Sequence, residues 1–195
     1  VKGFQDRFDI VVINLFGSNE GMSLVSDGDA VPDPEDRARY FTKERLFTPP
    51  YRSGQISPIK TRLVAPESGD LVEEDGATGE LQIYGPTVFE GYYEADDQTA
   101  DAFTKDGYYC TGDLFQSTKD GHFLEFVGRS KDLIIRGGVN IAPEEIDQLL
   151  GGHPDLIEAC AFAIPDEILG ERVGLAAVPQ PDVKLDLDKI TKQEF

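Results

Sequence analysis

Residues 105–128 read KDGYYCTGDLFQSTKDGHFLEFVG, and this stretch predicts an antiparallel β-sheet. Asp-Gly dipeptides at 106–107 and 120–121 separate aromatic-rich runs in which polar and apolar side chains alternate. Such dipeptides adopt the left-handed backbone that tight hairpin turns require. Similar alternation upstream extends the prediction, so residues 59–127 are expected to be mainly antiparallel sheet. The upstream runs are IKTRLVAP at 59–66 and ELQIYG at 80–85.

The pattern changes from hairpins to strand–helix–strand at about residues 128–131. The run KDLIIRGG at 131–138 predicts a strand. The run APEEIDQLLGG at 142–152 predicts a helix that begins at a proline and is stopped by two glycines. Two apolar runs, at 156–165 and 173–179, then predict buried strands.

The predicted fold class is α+β: a mainly antiparallel β-sheet or barrel unit, followed by a partial small α/β domain. We place the first domain at residues 1–128 and the hinge with the second domain at residues 129–195. Ahead of the sheet, FDIVVINLF at 8–16 predicts a buried strand. The run PEDRARYFTKERL at 34–46 predicts a helix with acidic residues in its first turn.

The balance of charge excludes several function classes. The 195 residues include 18 Lys and Arg against 37 Asp and Glu, a net charge of −19. Such a surface repels phosphate backbones and anionic lipid, so we predict no nucleic acid and no membrane partner. No CxxC pair, HExxH motif or EF-hand loop occurs. Two cysteines without disulfide spacing are typical of a cytoplasmic protein.

The end of a predicted strand carries an aromatic ring, an amide and a carboxylate, in the sequence FGSNEG at residues 16–21. In a nucleotide site, Phe16 would stack on a base, Asn19 would donate to a phosphate and Glu20 would hold Mg²⁺. The alternative is an ordinary strand-to-loop corner, since polar loops flanked by glycine are common.

Two further segments have both functional and structural interpretations. In YYCTGDL at 108–114, Asp113 can accept hydrogen bonds from two sugar hydroxyls, or it can simply form an Asx-turn. The segment GELQIYGPTVFEGYY at 79–93, taken alone, favours turns and a half-exposed sheet.

A basic cluster interrupts the acidic chain in VGRSKDLIIRGGVNIAPEEI at 127–146. Arg129, Lys131 and Arg136 fall within eight residues, and the Gly137–Gly138 pair lets a ligand approach the backbone closely. Arginine can hold ribose or phosphate oxygens, which favours a binding role. The alternative is a solvated edge strand protected by basic residues.

Read in order, these four segments resemble the AMP-forming adenylating superfamily, and the acyl-CoA synthetase branch in particular. The resemblance spans the end of the family's large N-terminal domain and the start of its small C-terminal domain. It implies that Phe16 contacts adenine, that Glu20 binds Mg²⁺ and that Asp113 binds ribose. Asn19 stands where the family usually has a threonine on the AMP phosphate.

Within the second domain, the resemblance implies that Arg129 contacts ribose and that Lys131 occupies the hinge. Gly138 matches the glycine that lines the tunnel for the CoA thiol. The implied substrates and cofactors are a carboxylic acid, ATP (leaving as AMP), Mg²⁺ and CoA, and the products are acyl-CoA, AMP and pyrophosphate, formed through an acyl-adenylate.

Two family elements are absent from these residues: the phosphate loop that ends in lysine, and the lysine that catalyses adenylation. We therefore expect a fragment of a carboxylic acid–CoA ligase that is inactive as an isolated chain. Without its upstream neighbours, the segment 1–50 should be least stable, and exposed strand edges would allow self-association. The alternatives are a fragment of an adenylating enzyme that loads a carrier protein, or a non-catalytic acidic interaction module.

Overall fold

A computed structural model describes residues 1–43, 59–118 and 121–184. The chain divides into two compact units, Val1–Phe126 and Val127–Phe195. The described residues contain four helices, α1 Lys2–Phe8, α2 Pro34–Arg39, α3 Asp96–Ala102 and α4 Pro143–Leu150. Their strands are β1 Asn14–Ser18, β2 Gly21–Ser26, β3 Tyr40–Thr42, β4 Lys60–Val64, β5 Thr78–Tyr84, β6 Tyr109–Thr118, β7 Phe123–Arg129, β8 Ile134–Arg136, β9 Val139–Ile141, β10 Leu156–Asp166 and β11 Gly170–Pro179. None of these helices has the length and apolar character needed to cross a membrane.

A five-stranded sheet in the order β3-β7-β6-β5-β4 forms the centre of the first unit. Strand β5 pairs antiparallel with both β4 and β6, and β3 pairs antiparallel with β7. Alternate side chains of these strands enter one core, in which Leu81, Phe115 and Leu124 are essentially inaccessible to solvent. The mainly antiparallel α+β fold predicted from the sequence is therefore confirmed.

The apolar run at residues 8–16 does not form one buried strand as predicted. Phe8 ends helix α1, the chain then runs to Asn14 without regular structure, and only Asn14–Ser18 is a strand. The partner strand β2 reaches no further than the pair Asn14–Ser26, because Asp27 then turns the chain by accepting backbone hydrogen bonds. Without a partner the earlier residues cannot continue the ladder, and Val11 stays 55% exposed.

The helix predicted over residues 34–46 is shorter in the structure. Helix α2 ends at Arg39 because Tyr40–Thr42 pair with β7, so sheet pairing overrides local helix propensity. The last residues of the predicted helix, from residue 44 onward, lie outside the described residues.

A four-stranded sheet in the order β10-β11-β8-β9 forms the second unit together with α4. Each of its pairings is antiparallel. Leu150 of α4 packs against Leu156 of β10, with Leu175 and Ala177 of β11 beside them. Both predicted strands form, as β10 and β11, but the prediction that residues 156–165 and 173–179 are buried was wrong for much of their length, because one short helix covers only part of this long hairpin.

Candidate functional site

Phe16 lies in β1 and is half-buried. Its ring meets Phe115 edge to face at 4.8 Å between centroids and lies 5.9 Å from the ring of Phe126. Edge-to-face packing of this kind fixes the orientation of a ring as well as burying it. Phe16 is thus a rigid part of the core edge that still presents some of its surface to solvent.

The turn between β1 and β2 carries Asn19 and Glu20, and contacts with a distant loop hold it in place. The backbone carbonyl of Glu20 accepts from the amide of Phe89 at 2.8 Å. Its carboxylate accepts from the Tyr92 hydroxyl at 3.3 Å. Asn19 is exposed in the same turn. The Glu20 carboxylate is therefore positioned by both its backbone and its side chain.

Two tyrosines beside Glu20 belong to this site and were missed by sequence reasoning. Tyr109 of β6 is buried, and desolvation together with the negative charge of Glu20 and a hydrogen bond to Tyr92 holds its pKa well above the usual value. Tyr109 is consequently a neutral hydroxyl near Glu20 at any physiological pH. The available signals were the Gly-Tyr-Tyr sequences at 91–93, which resembled a turn, and at 107–109, directly before the Thr-Gly-Asp motif.

The described residues contain no group of three or more His, Cys, Asp or Glu side chains that could hold a metal ion. Mg²⁺ in nucleotide sites usually keeps several waters and takes only one or two carboxylates, with phosphate oxygens supplying other ligands. The single carboxylate of Glu20 fits that donor set, whereas it does not fit a metal cage built from protein alone.

Asp113 lies in a bulge of strand β6. The register pairs Gln82 with Cys110 and Glu80 with Leu114, so Leu81 alone faces the three residues Thr111–Asp113. Gly112 adopts a left-handed backbone with φ of 73°, which a glycine adopts without steric cost. Bulges of this type redirect side chains and are frequent beside active sites. Asp113 itself is 9% exposed.

The first unit brings together the residues predicted to bind the nucleotide base, the metal and the sugar. Phe16, Asn19 and Glu20 share one hairpin, and Asp113 lies two residues before Phe115, whose ring packs on Phe16. The strand β6 thus links the hairpin to the Thr-Gly-Asp bulge.

The second unit carries the other predicted residues. Arg129 ends β7, and its carbonyl accepts from the amide of Asp132 at 3.1 Å, which closes a turn containing the exposed Lys131. Just before this turn, the absent side chain of Gly128 leaves room for the carboxylate of Glu144. One oxygen of that carboxylate would lie 2.8 Å from a Cβ at position 128.

Gly138 lies in the turn between β8 and β9. Gly137 and Gly138 have φ values of 59° and 85°, so both positions favour glycine. A Cβ at position 138 would meet no described atom within 4 Å, so the backbone there is open to an approaching molecule. The Gly137 amide donates to the carbonyl of Leu169 at 2.8 Å, which anchors the turn to the loop before β11.

Comparison with known proteins gives three informative similarities. Sulfoacetate–CoA ligase of Cupriavidus necator is 36% identical over 186 residues, which are 95% of this chain and 33% of that protein. 2,3-Dihydroxybenzoate-AMP ligase of Bacillus subtilis is 41% identical over 107 residues, 55% of this chain and 20% of that protein. The ATP-bound crystal structure of MatB from Rhodopseudomonas palustris has a TM-score of 0.75 at 25% identity, covering 100% of this chain and 36% of MatB.

The chain therefore spans about a third, or less, of the length of the proteins that it matches. No family model matches the chain.

Proposed function

Because the chain belongs to the AMP-forming adenylate-forming superfamily, we propose that it supplies part of the nucleotide site and the domain hinge of a carboxylic acid–CoA ligase. The complete reaction would join a carboxylic acid to CoA and convert ATP to AMP and pyrophosphate. The observation that carries the proposal is the Thr-Gly-Asp bulge, which holds Asp113 in a buried position on the strand that packs against Phe16.

The chemistry explains why such a site is needed. The oxygen of a carboxylate is a poor leaving group, so a thiol cannot displace it directly. One carboxylate oxygen therefore first attacks the α-phosphorus of ATP, and pyrophosphate departs. The nucleotide must be held in line with the attacking oxygen, because orientation contributes much of the rate enhancement. In the proposed site Phe16 stacks on adenine, Asp113 accepts from the ribose hydroxyls, and Asn19 donates to the phosphate.

Glu20 would hold Mg²⁺, which supplies positive charge beside the phosphates when it is bound. The hydrogen bond from Tyr92 to Glu20 limits the rotation of that carboxylate before a nucleotide arrives. The Glu20 side chain would thus be oriented in advance.

The second unit would serve the later thiol step. Arg129 would contact the ribose, and the turn containing Lys131 would be the pivot between two arrangements of the domains. The open backbone at Gly138 would let the thiol arm of CoA approach the adenylate. We therefore propose that CoA approaches at the β8–β9 turn.

The similarity to 2,3-dihydroxybenzoate-AMP ligase favours a second candidate, an adenylating enzyme that passes the acyl group to a carrier protein. The segment RGGVNIAPEEI at 136–146 favours the CoA ligase. The match to sulfoacetate–CoA ligase, which covers 95% of this chain, favours it as well. We also propose a cytoplasmic location, which both unpaired cysteines, Cys110 and Cys160, support.

Titration of the chain with AMP, followed by NMR, tests the proposal. Because the chain spans about a third of the length of its relatives, we expect weak binding, with a Kd of about 1 mM. Asp113→Ala should weaken binding at least about tenfold, since it removes a charged acceptor of sugar hydroxyls. Asp70→Asn removes one negative charge from an exposed loop position and should leave binding unchanged.

Equal AMP affinity in the wild type and Asp113→Ala would refute the assigned ribose role. A Kd near 1 µM would contradict the expectation that much of the site lies outside these residues. We expect no measurable formation of acyl-adenylate or thioester by the chain alone.

A further inference from the structure

We propose that Glu80 is a positioning residue for Asp113, acting through the backbone of Gly112. The inference rests on the proposed ribose role of Asp113. Glu80 lies on β5, in the segment where sequence reasoning favoured only turns and a half-exposed sheet.

The bulge in β6 deprives its backbone groups of their ordinary ladder partners. Three residues face Leu81 alone, so the amides of Gly112 and Asp113 find acceptors outside the regular ladder. A buried amide without an acceptor costs about 1–3 kcal/mol. The bulge is stable only if side chains supply those acceptors.

Glu80 and Thr111 supply them. The Gly112 amide donates to Oε1 of Glu80 at 2.9 Å. The Asp113 amide donates to the Thr111 hydroxyl oxygen at 3.1 Å, and that hydroxyl in turn donates to the Leu81 carbonyl at 2.7 Å. The Gly112 and Asp113 amides, which fix the position of the Asp113 backbone, are thus held by two side chains.

Of these hydrogen bonds, the one between Glu80 and the Gly112 amide determines the backbone conformation of Gly112. Gly112 can adopt both left-handed and right-handed backbones, so its own sequence does not select a φ of 73°. A hydrogen bond to a carboxylate is about twice as strong as a bond between neutral groups. Glu80 therefore favours the one backbone conformation that places Asp113.

Its neighbours on β5 explain why Glu80 is well placed for this role. A Cβ at Gly79 would lie 3.0 Å from the Val64 nitrogen, so glycine there allows β4 and β5 to approach closely. Leu81 is fully buried in the core. Because Gly79 is in close contact with β4 and Leu81 is fixed in the core, Glu80 between them has little freedom to move away from Gly112.

The test compares the wild type with Glu80→Ala, Glu80→Gln and the control Glu67→Ala. The control removes the same charge from an exposed turn. Two measurements are made on each: hydrogen exchange of the Gly112 amide, and NMR titrations with AMP and with 2′,3′-dideoxy-AMP, which lacks both ribose hydroxyls. The wild type should prefer AMP over the dideoxy compound by about tenfold.

Glu80→Ala should speed exchange at Gly112 and reduce the preference for AMP to about twofold, with affinity for the dideoxy compound unchanged. Glu80→Gln keeps an oxygen acceptor and should retain most of the preference, losing about 1.5-fold at most. Glu67→Ala should match the wild type in both measurements.

Faster exchange at Gly112 with an undiminished preference for AMP would overturn the proposal, since Glu80 would then be merely structural. Should Glu80→Ala fail to fold, Glu80→Leu, which keeps a side chain of similar size but removes the acceptor of the Gly112 amide, decides by the same criterion. If the wild type itself does not distinguish AMP from the dideoxy compound, the ribose role of Asp113 fails, and the positioning role falls with it.

Discussion

Asp106 shows how one side chain can stabilise a turn and its neighbours together. Its carboxylate accepts two hydrogen bonds from Arg62, at 2.7 and 3.1 Å, and one from Thr104 at 2.7 Å. The Arg62 guanidinium also lies over the Tyr108 ring, 3.9 Å from its centroid, and donates to Gln82. The Asp-Gly turn at 106–107 is thereby linked to β4 and β5.

This arrangement predicts a pH dependence. The Arg62 and Thr104 hydrogen bonds lower the pKa of Asp106 to about 2. Because the folded pKa lies below the unfolded value of about 4, the stabilisation is present above pH 4 and is lost as pH falls towards 2. Asp106→Asn should lower the free energy of unfolding at pH 5 but not at pH 2, as measured by urea denaturation.

The loss of unfolding free energy in Asp106→Asn should be modest and should weaken with salt, because the Asp106 side chain is 58% exposed. Asp155→Asn, at another exposed position, serves as the control. An equal loss of stability at both pH values would show that the ion pair with Arg62 is not the cause.

At the scale of elements, helix α2 depends on one buried arginine and one cap. Asp33 caps the helix by accepting from the amides of Glu35 and Asp36. Arg37 is 1% exposed, and its guanidinium donates to three backbone carbonyls and to one side-chain oxygen. These acceptors are the carbonyls of Val12, Val31 and Pro32 and the Gln5 side chain. A helix of six residues is thus tied to the segments on both sides of the β1–β2 hairpin.

We expect Arg37→Met to lower the free energy of unfolding by about 3 kcal/mol, because several carbonyls lose their donor inside the protein. Arg39→Met, on the exposed side of the same helix, should cost less than about 1 kcal/mol. Urea denaturation measures both, and hydrogen exchange should show that the loss in Arg37→Met is concentrated before residue 34. Similar losses of unfolding free energy in the two variants would mean that the buried hydrogen bonds of Arg37 do not stabilise the fold more than an exposed arginine does.

At the scale of the whole molecule, the division after Phe126 separates two units, each with its own sheet. The chain leaves β7 at Arg129 and turns through Lys131 and Asp132 before β8 begins. A turn between strands of two separate sheets can open locally without unfolding either core. This property is what the proposed pivot at Lys131 requires.

Limited digestion with trypsin tests this property. Cleavage after Arg129 or Lys131 should precede cleavage after Arg62, which lies within a paired strand. Mass spectrometry identifies the first bonds cut, and the double variant Arg129→Gln, Lys131→Gln should slow only this cleavage. Early cleavage at Arg62 with an intact 129–131 segment would contradict a pivot there.

Local sequence determined much of this protein because the signals are backbone preferences. The glycine at 121 marks the turn between β6 and β7, and Pro143 begins helix α4, as predicted. The order of the four motifs was sufficient to predict the family, which the comparisons confirm. The binding roles of Phe16, Glu20 and Asp113 came from those motifs and remain proposals.

Only the tertiary structure decided features that depend on contacts between residues far apart in the chain. Tyr40 leaves the predicted helix because its backbone pairs with Glu125, and the apolar run at 8–16 becomes a strand only where β2 reaches it. The support of the site has the same origin, since Glu80 meets Gly112 only after β5 and β6 have paired. Local patterns record what each residue prefers, whereas strand pairing determines which distant groups satisfy its hydrogen bonds.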